Sequence, residues 1–357
     1  MSNHRYGLIM AGGRGTRFWP RSRKRNAKQV LKFFGERSLI QQTVDRLKAV
    51  IPPENIWVVT NDFLQAEIRK QLPEVPKQQI VAEPAQRNTA PCIALAAQII
   101  ASLDEDSILG VFPADHLILK EGRFRNFVKV AFKAAETSDV VVLGIEPRWA
   151  ETGYGYIEFP KNLKPGNNEV LDITSFREKP DAKTAKKFVE RGNFLWNAGM
   201  FFWKTSAVLQ LMREHQPKTA TLLAGLPKFG SKNFATKLAE AYPLCDNISI
   251  DYAVIEKAES VKGLALDDIG WNDVGSWEAV YDLAKKDDAG NASNSRVISE
   301  DSRGNYVDAA KTVALVGVEN MIIVDTPDAL LVAQRSRAQD VSKVVKALES
   351  SGAEELL

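Results

Sequence analysis

"YGLIMAGGRGTRFWPRSRKRNAKQ", from Tyr6 to Gln29, is the stretch on which the fold turns. It opens on a short apolar run that reads as a buried strand. The run breaks into Gly12-Gly13-Arg14-Gly15. Glycines at a strand end let backbone N–H groups approach an anion, because no Cβ stands in the way. Seven basic residues follow within the stretch, Arg14, Arg17, Arg21, Arg23, Lys24, Arg25 and Lys28, with no acid among them. The formal net charge of the chain is only +2, so the charge is concentrated locally. A phosphate-rich ligand is the first reading. A solvated basic loop, a nucleic-acid patch and a dinucleotide fold are its rivals.

The stretch is not a P-loop, since no Gly-Lys-Ser/Thr follows at the required spacing. Gly13 and Gly15 fit the dinucleotide fingerprint, but Phe18 occupies its third glycine position. Nucleic acid is a poor partner for so small a net charge, and aromatics interleave with the basic run only at Phe18 and Trp19. The chain has 357 residues, 45% of them hydrophobic and 26% charged, as in a globular protein with a sizeable core. Cys92 and Cys245 are its only cysteines, which excludes a disulfide framework and a multi-cysteine zinc site. No apolar run is long enough to span a bilayer, and "MSNHRYGL" lacks a secretory core. A cytoplasmic setting with neither membrane nor nucleic-acid partner is expected.

Beyond the opening strand, "NIWVVT" (Asn55–Thr60), "QQIVAE" (Gln78–Glu83), "SILGVFP" (Ser107–Pro113) and "DVVVLGI" (Asp139–Ile145) read as further buried strands. Helical patterns lie between them, one starting at Ser38 with Gln41 in capping-box spacing, others over 89–103 and 122–137. The alternation predicts an α/β fold with a Rossmann-like, mixed but mostly parallel sheet. Ligands in such sheets bind beyond the C-terminal strand ends. There the loops are "AGGRGTR", "EPAQRNTAP" and "PADH", the most polar of this half. From Glu151 the rhythm changes: "TGYGYIEF" and "EVLDITSFREKP" read as antiparallel strands, a helix runs from Asp181 to Arg191, and "NFLWNAGMFFWK" is another strand. After Lys286 a polar, turn-rich stretch leads into short apolar runs. The division expected is a catalytic domain over 1–286 and a small β domain over 287–357, ending in a helix near Val341–Leu348.

Candidate chemistry falls in the loops. Asp115 in "FPADH" and Asp273 in "GWNDVGSW" suit Mg²⁺, which takes one or two protein carboxylates plus substrate phosphates. A helix cap is the bland alternative for Asp115, and Asp273 has the same ambiguity. Asp267 and Asp268 read as decoys, and His116 as a satisfied structural residue. Lys179 in "REKP" can meet a phosphate while Glu178 accepts sugar hydroxyls, and an exposed strand-end charge pair is the bland alternative. Asn197 in "WNAGMFFW" offers an amide and Gly199 close approach, and the aromatics there read as core.

Taken in order, "AGGRGTRFWPRSRKRNAKQ", "EPAQRNTAP", "FPADH", "GYGYIE", "FREKP", "WNAGMFFW" and "GWNDVGSW" resemble the motifs of sugar-nucleotide pyrophosphorylases, most of all the bacterial mannose-1-phosphate guanylyltransferases. The resemblance covers residues 5–345. One departure is Ala27 before Lys28, where the family usually carries proline. The resemblance implies a glycosyltransferase-A-like nucleotidyltransferase domain and a tail like a short left-handed β-helix. It implies that Ala11, Gly12, Gly13, Arg14, Gly15, Lys28 and Asp115 bind GTP, and that Asp115 and Asp273 hold Mg²⁺ or a similar divalent cation. It places mannose 1-phosphate against Gly155, Glu178, Lys179, Asn197 and Gly199, with Arg14, Lys28, Asp115, Lys179 and Asp273 catalytic. In the loop beside the nucleotide, Glu83 can accept from guanine N1–H and N2, with Arg87 and Asn88 as donors; the alternative is that Glu83 caps the next helix and the backbone alone reads the base. The reaction implied is attack of the sugar phosphate on the α-phosphorus of GTP, giving GDP-mannose and pyrophosphate. A pyrophosphorylase for another sugar or triphosphate, or a silent nucleotide-sugar sensor, remains the rival. A homodimer stays open.

Overall fold

The apolar run before the glycine turn forms strand β1 (Arg5–Met10), in which Leu8 and Ile9 are fully buried. A computed structural model describes residues 4–357. On one side β1 pairs in parallel with β2 (Ile56–Asn61), beyond which lies β3 (Ile80–Glu83), and on the other with β4 (Ile108–Pro113). A short β5 (Leu117–Ile118) leaves the sheet, which resumes at β6 (Val140–Ile145). Then come β7 (Tyr156–Glu158), β8 (Val170–Asp172), β9 (Ser175–Arg177), β10 (Phe194–Lys204) and β11 (Val261–Ala265), while β12 (Trp271–Asn272) pairs with β5. The ten-stranded sheet has the order β3-β2-β1-β4-β10-β6-β11-β8, with β7 paired to β10 and β9 to β7. It is mixed because β10 runs antiparallel to both β4 and β6. Its register slips between Asn197 and Phe201, where Gly199 takes a φ of 66°.

Helix α1 (Leu39–Leu47) opens on the anticipated box: Ser38 accepts from the Gln41 amide, and the Gln41 side chain accepts from the Ser38 amide. The next helix, α2 (Asp62–Gln71), has no counterpart in the sequence reading. Only Leu64 and Ile68 on it are buried, one turn apart, which leaves little periodicity to detect. Helices α3 (Thr89–Ala101) and α4 (Glu121–Ala135) cover opposite faces of the sheet. Asp181 caps α5 (Ala182–Arg191), and α6 (Thr205–His215), α7 (Pro217–Ala224) and α8 (Phe234–Ala241) pack on the α3 side. A π-helical turn, Asp251–Ile255, precedes β11, and α9 (Trp277–Leu283) follows β12. Among the described residues no helix is long and apolar enough to cross a membrane.

The tail coils. Strands β13 (Ala292–Ser293), β15 (Tyr306–Asp308) and β17 (Met321–Asp325) stack in parallel, and β14 (Val297–Glu300) with β16 (Val313–Val316) form a second parallel ladder. Strand β18 (Leu330–Gln334) closes the first ladder antiparallel, and α10 (Val341–Ser351) leads back toward the glycine loop. Phe18, Trp19 and Trp277 share one hydrophobic cluster with Tyr306, Ile322, Val341 and Val345. The Trp277 indole donates to the Trp19 carbonyl at 3.1 Å. The tail is therefore built onto the stretch from which the reading began.

Candidate active site

A cavity of about 820 Å³ opens beyond the C-terminal ends of β1, β3 and β4, and extends to the β10 bulge. Four side chains fix one wall through the carbonyls of the glycine loop. Gln29 donates to Ala11 O at 2.7 Å and Gly13 O at 3.0 Å, Thr60 to Ala11 O, Asn61 to Gly12 O, and Ser22 to Arg14 O. Among the described residues the amides of Gly12, Gly13 and Gly15 engage no acceptor, as an anion-binding turn requires. Gly15 has a φ of 61°, and a Cβ there would fall 2.5 Å from the Lys28 Cβ. A Cβ on Gly12 would collide with the Glu83 carboxylate.

Asp115 and Asp273 both line this cavity. Lys28, buried behind them, donates to Asp115 Oδ2 at 2.8 Å and to the Asp273 carbonyl at 2.5 Å. Sequence reasoning aims Lys28 at a triphosphate, whereas its ammonium here ties two loops together. Burial opposes ionisation of Asp115, but the Lys28 charge, the neighbouring His116 and hydrogen bonds from Lys28 and the Asp115 amide together outweigh it and hold the carboxyl below the usual range. Asp273 accepts from the Tyr154 hydroxyl at 2.6 Å. Its loop is held by Asn272, which accepts from the Val274 amide, and by Val274 at a φ of 47°. A β-branched residue in the left-handed region is strained, and such strain clusters at functional sites. His116 accepts from the Trp271 indole, and burial pushes its pKa down to about 4, so the structural reading holds. Asp267 pairs with Arg123 and Asp268 with Lys120, which accounts for both decoys.

Across the cavity, the Asn197 amide nitrogen donates to Asp251 Oδ1 at 2.8 Å, and its oxygen accepts from the Gly199 amide at 3.0 Å. Glu178 is buried, and a Cβ on Gly155 would fall 2.5 Å from its Oε2. Lys179, at a φ of 45°, places its ammonium 3.0 Å from Glu178 Oε1 and remains half-exposed outside the wall. Asp251 was missed by sequence reasoning, since nothing in "SIDYAV" distinguishes it from a helix-start acid. Gln29 and Tyr154 were missed as well.

The base-side loop divides. Glu83 and Asn88 line the cavity. Burial raises the Glu83 carboxyl to about 7, although the Tyr242 hydroxyl donates to it at 2.6 Å. Asn88, at a φ of 65°, caps α3 by accepting from the Thr89 amide. Arg87 is not brought into the cavity, because its guanidinium donates to the Pro243 carbonyl at 2.9 Å.

The basic run also differs from the expectation that it serves phosphate throughout. Arg14 lies 2.6 Å from Glu349, Arg21 pairs with Asp308, Arg23 with Asp328 and Lys24 with Glu354, while Arg17 donates to Gln339. Much of this charge docks the tail.

Residues 6–290 match the family model described as nucleotidyl transferase, and residues 295–348 match the mannoseP isomerase/GMP-like beta-helix domain. The chain is 38% identical over 352 residues to the xanthan biosynthesis protein XanB of Xanthomonas campestris pv. campestris, covering 98% of this chain and 74% of that protein. To the mannose-1-phosphate guanylyltransferase of Escherichia coli it is 35% identical over 363 residues, 99% of this chain and 78% of the other. A crystal structure from Thermus thermophilus, described as a mannose-1-phosphate geranyltransferase, is similar with a TM-score of 0.85 at 32% identity, covering 97% of this chain and 100% of that one. The α/β domain and the β-helix-like tail stand as the sequence predicts. This chain belongs to the nucleotidyl transferase family.

Proposed function

We propose that the chain is a mannose-1-phosphate guanylyltransferase, which joins GTP and α-D-mannose 1-phosphate into GDP-mannose and releases pyrophosphate. One observation carries this reading. A single cavity is lined by a glycine loop with free amides, by Asp115 and Asp273, and by Glu178, Asn197 and Asp251. The relatives named above support the choice of substrates. In this reading residues 1–286 form the catalytic unit and residues 287–357 a tail that braces the loop.

A mannose 1-phosphate oxygen attacks the α-phosphorus of GTP in line. The new P–O bond forms as the bond to the β-phosphate oxygen breaks and pyrophosphate leaves. The nucleophile is already anionic, so no general base is needed, in keeping with a neutral His116 held by Trp271. What the chain supplies is alignment and charge neutralisation. The amides of Gly12, Gly13 and Gly15, with Ala11 packed beneath, receive the triphosphate, and Arg14 screens the leaving group. Lys179 meets the sugar phosphate, while Glu178, Asn197 and Gly199 orient the sugar beside Gly155. Glu83 accepts from guanine, Asn88 lies beside it, and Arg87 fixes their loop on Pro243.

Asp115 and Asp273 fit Mg²⁺, which needs few carboxylates when substrate phosphates complete its shell. Among the described residues no cluster of three or more His, Cys, Asp or Glu competes for a metal ion. When bound, the cation would neutralise phosphate charge between the two substrates. Lys28 keeps both aspartates in place for it. Asp273→Ala should lower turnover by orders of magnitude in a folded protein, and near-normal turnover would refute the metal assignment.

A further inference from the structure

We propose that Asp251 is a sugar-binding residue that acts with Glu178 as a pair of hydroxyl acceptors and decides which sugar phosphate the cavity takes. This deepens the reading of the cavity as a nucleotide-sugar site and rests on it. Asp251 opens the π-helical turn Asp251–Ile255, and single π turns recur at functional sites. Ile250, Ala253, Val254 and Ile255 are buried, so the turn is anchored while Asp251 lines the cavity. Oδ1 accepts from Asn197, which is fixed in turn by the Gly155 carbonyl and the Gly199 amide. Among the described residues no side chain donates to Oδ2.

The charges around Asp251 argue against a purely structural role. Burial, and next the negative charge of Glu178, push its carboxyl well above the usual range, while its own backbone amide, then Lys179 and Asn197, pull it back. Glu178 already has Lys179 at 3.0 Å, and its backbone amide donates to Glu256. Placing a second carboxylate beside Glu178 works against folding, since Asp251 loses water and meets a like charge. A ligand bearing neighbouring hydroxyls supplies the missing donors. Two carboxyl groups sharing one wall suit a vicinal diol better than an isolated hydroxyl.

The test separates scaffold from ligand. Asp251→Asn keeps an oxygen for Asn197 but removes the charge, and Asp251→Ala removes both. Binding of mannose 1-phosphate and glucose 1-phosphate is measured by calorimetry, alongside GTP binding and thermal unfolding. Asp251→Asn should weaken binding of the preferred sugar phosphate about 10- to 100-fold, narrow the preference between the two sugars and leave GTP affinity unchanged. Wild-type sugar affinity in Asp251→Asn would overturn the inference. So would equal losses for GTP and sugar phosphate together with a lowered melting temperature. Failure of the wild-type protein to bind either sugar phosphate would instead reject the nucleotide-sugar reading itself.

Discussion

Arg14 of the glycine loop and Glu349 of the last helix form an ion pair at 2.6 Å, across the junction between the catalytic sheet and the tail. Both side chains are about a third exposed, at 35% and 38%. Such pairs contribute roughly 0–1 kcal/mol. In the proposed mechanism Arg14 screens the triphosphate, so Glu349 competes with the nucleotide for it. Glu349→Gln should lower the KM for GTP about two- to fivefold and leave that for mannose 1-phosphate unchanged. Added salt should erase the difference. A raised KM for GTP would mean that Glu349 positions Arg14 rather than competing for it.

Lys28 is the internal cation of Asp115 and also donates to the Asp273 backbone carbonyl. The Asp115 carboxyl is held below its ordinary value of 3.8, so its contribution to stability is present above that value and lost as pH falls through the lowered one. Lys28→Met removes that contribution at neutral pH and leaves the Asp115 carboxylate without its cation. Turnover should fall at least about 100-fold, and the concentration of Mg²⁺ needed should rise. The melting temperature should drop in metal-free buffer and recover partly when Mg²⁺ is added. Unaltered Mg²⁺ dependence would detach Lys28 from the metal site.

Glu83 titrates near neutrality because it is buried. Its neutral form favours the folded state, so this stability is fully present below about 4.5 and is lost as pH rises through about 7. A guanine ring needs the ionised form as acceptor. The KM for GTP should therefore rise as pH falls from 8 to 6, while Glu83→Gln should flatten this profile and narrow the preference for GTP over ATP. The same variant should be more stable than wild type at pH 8 but not at pH 4. An unchanged profile in Glu83→Gln would move base recognition elsewhere.

Local chemistry was legible in the sequence. The Ser38–Gln41 box, the buried strands and the placing of three polar loops at strand ends depend on neighbouring residues alone. The reading of His116 rested on the count of three histidines and the lack of an HExxH spacing, and its partner is the Trp271 indole. What could not be read depends on chain closure. Arg21, Arg23 and Lys24 meet Asp308, Asp328 and Glu354, partners separated from them by most of the chain. Arg87 turns from the cavity because the Pro243 carbonyl lies beside it, and Asp251 enters only through a π turn that no periodicity announces. Lys28 has the expected position but a different contact, since the partner loops come from far along the chain.

The most direct test is pyrophosphate release measured with Mg²⁺ across GTP, ATP, UTP and dTTP, each paired with mannose 1-phosphate and glucose 1-phosphate. Release should be fastest with GTP and mannose 1-phosphate, yield GDP-mannose in equal amount and cease when the cation is chelated. Faster release with any other pair, or none with any pair, would contradict the assignment.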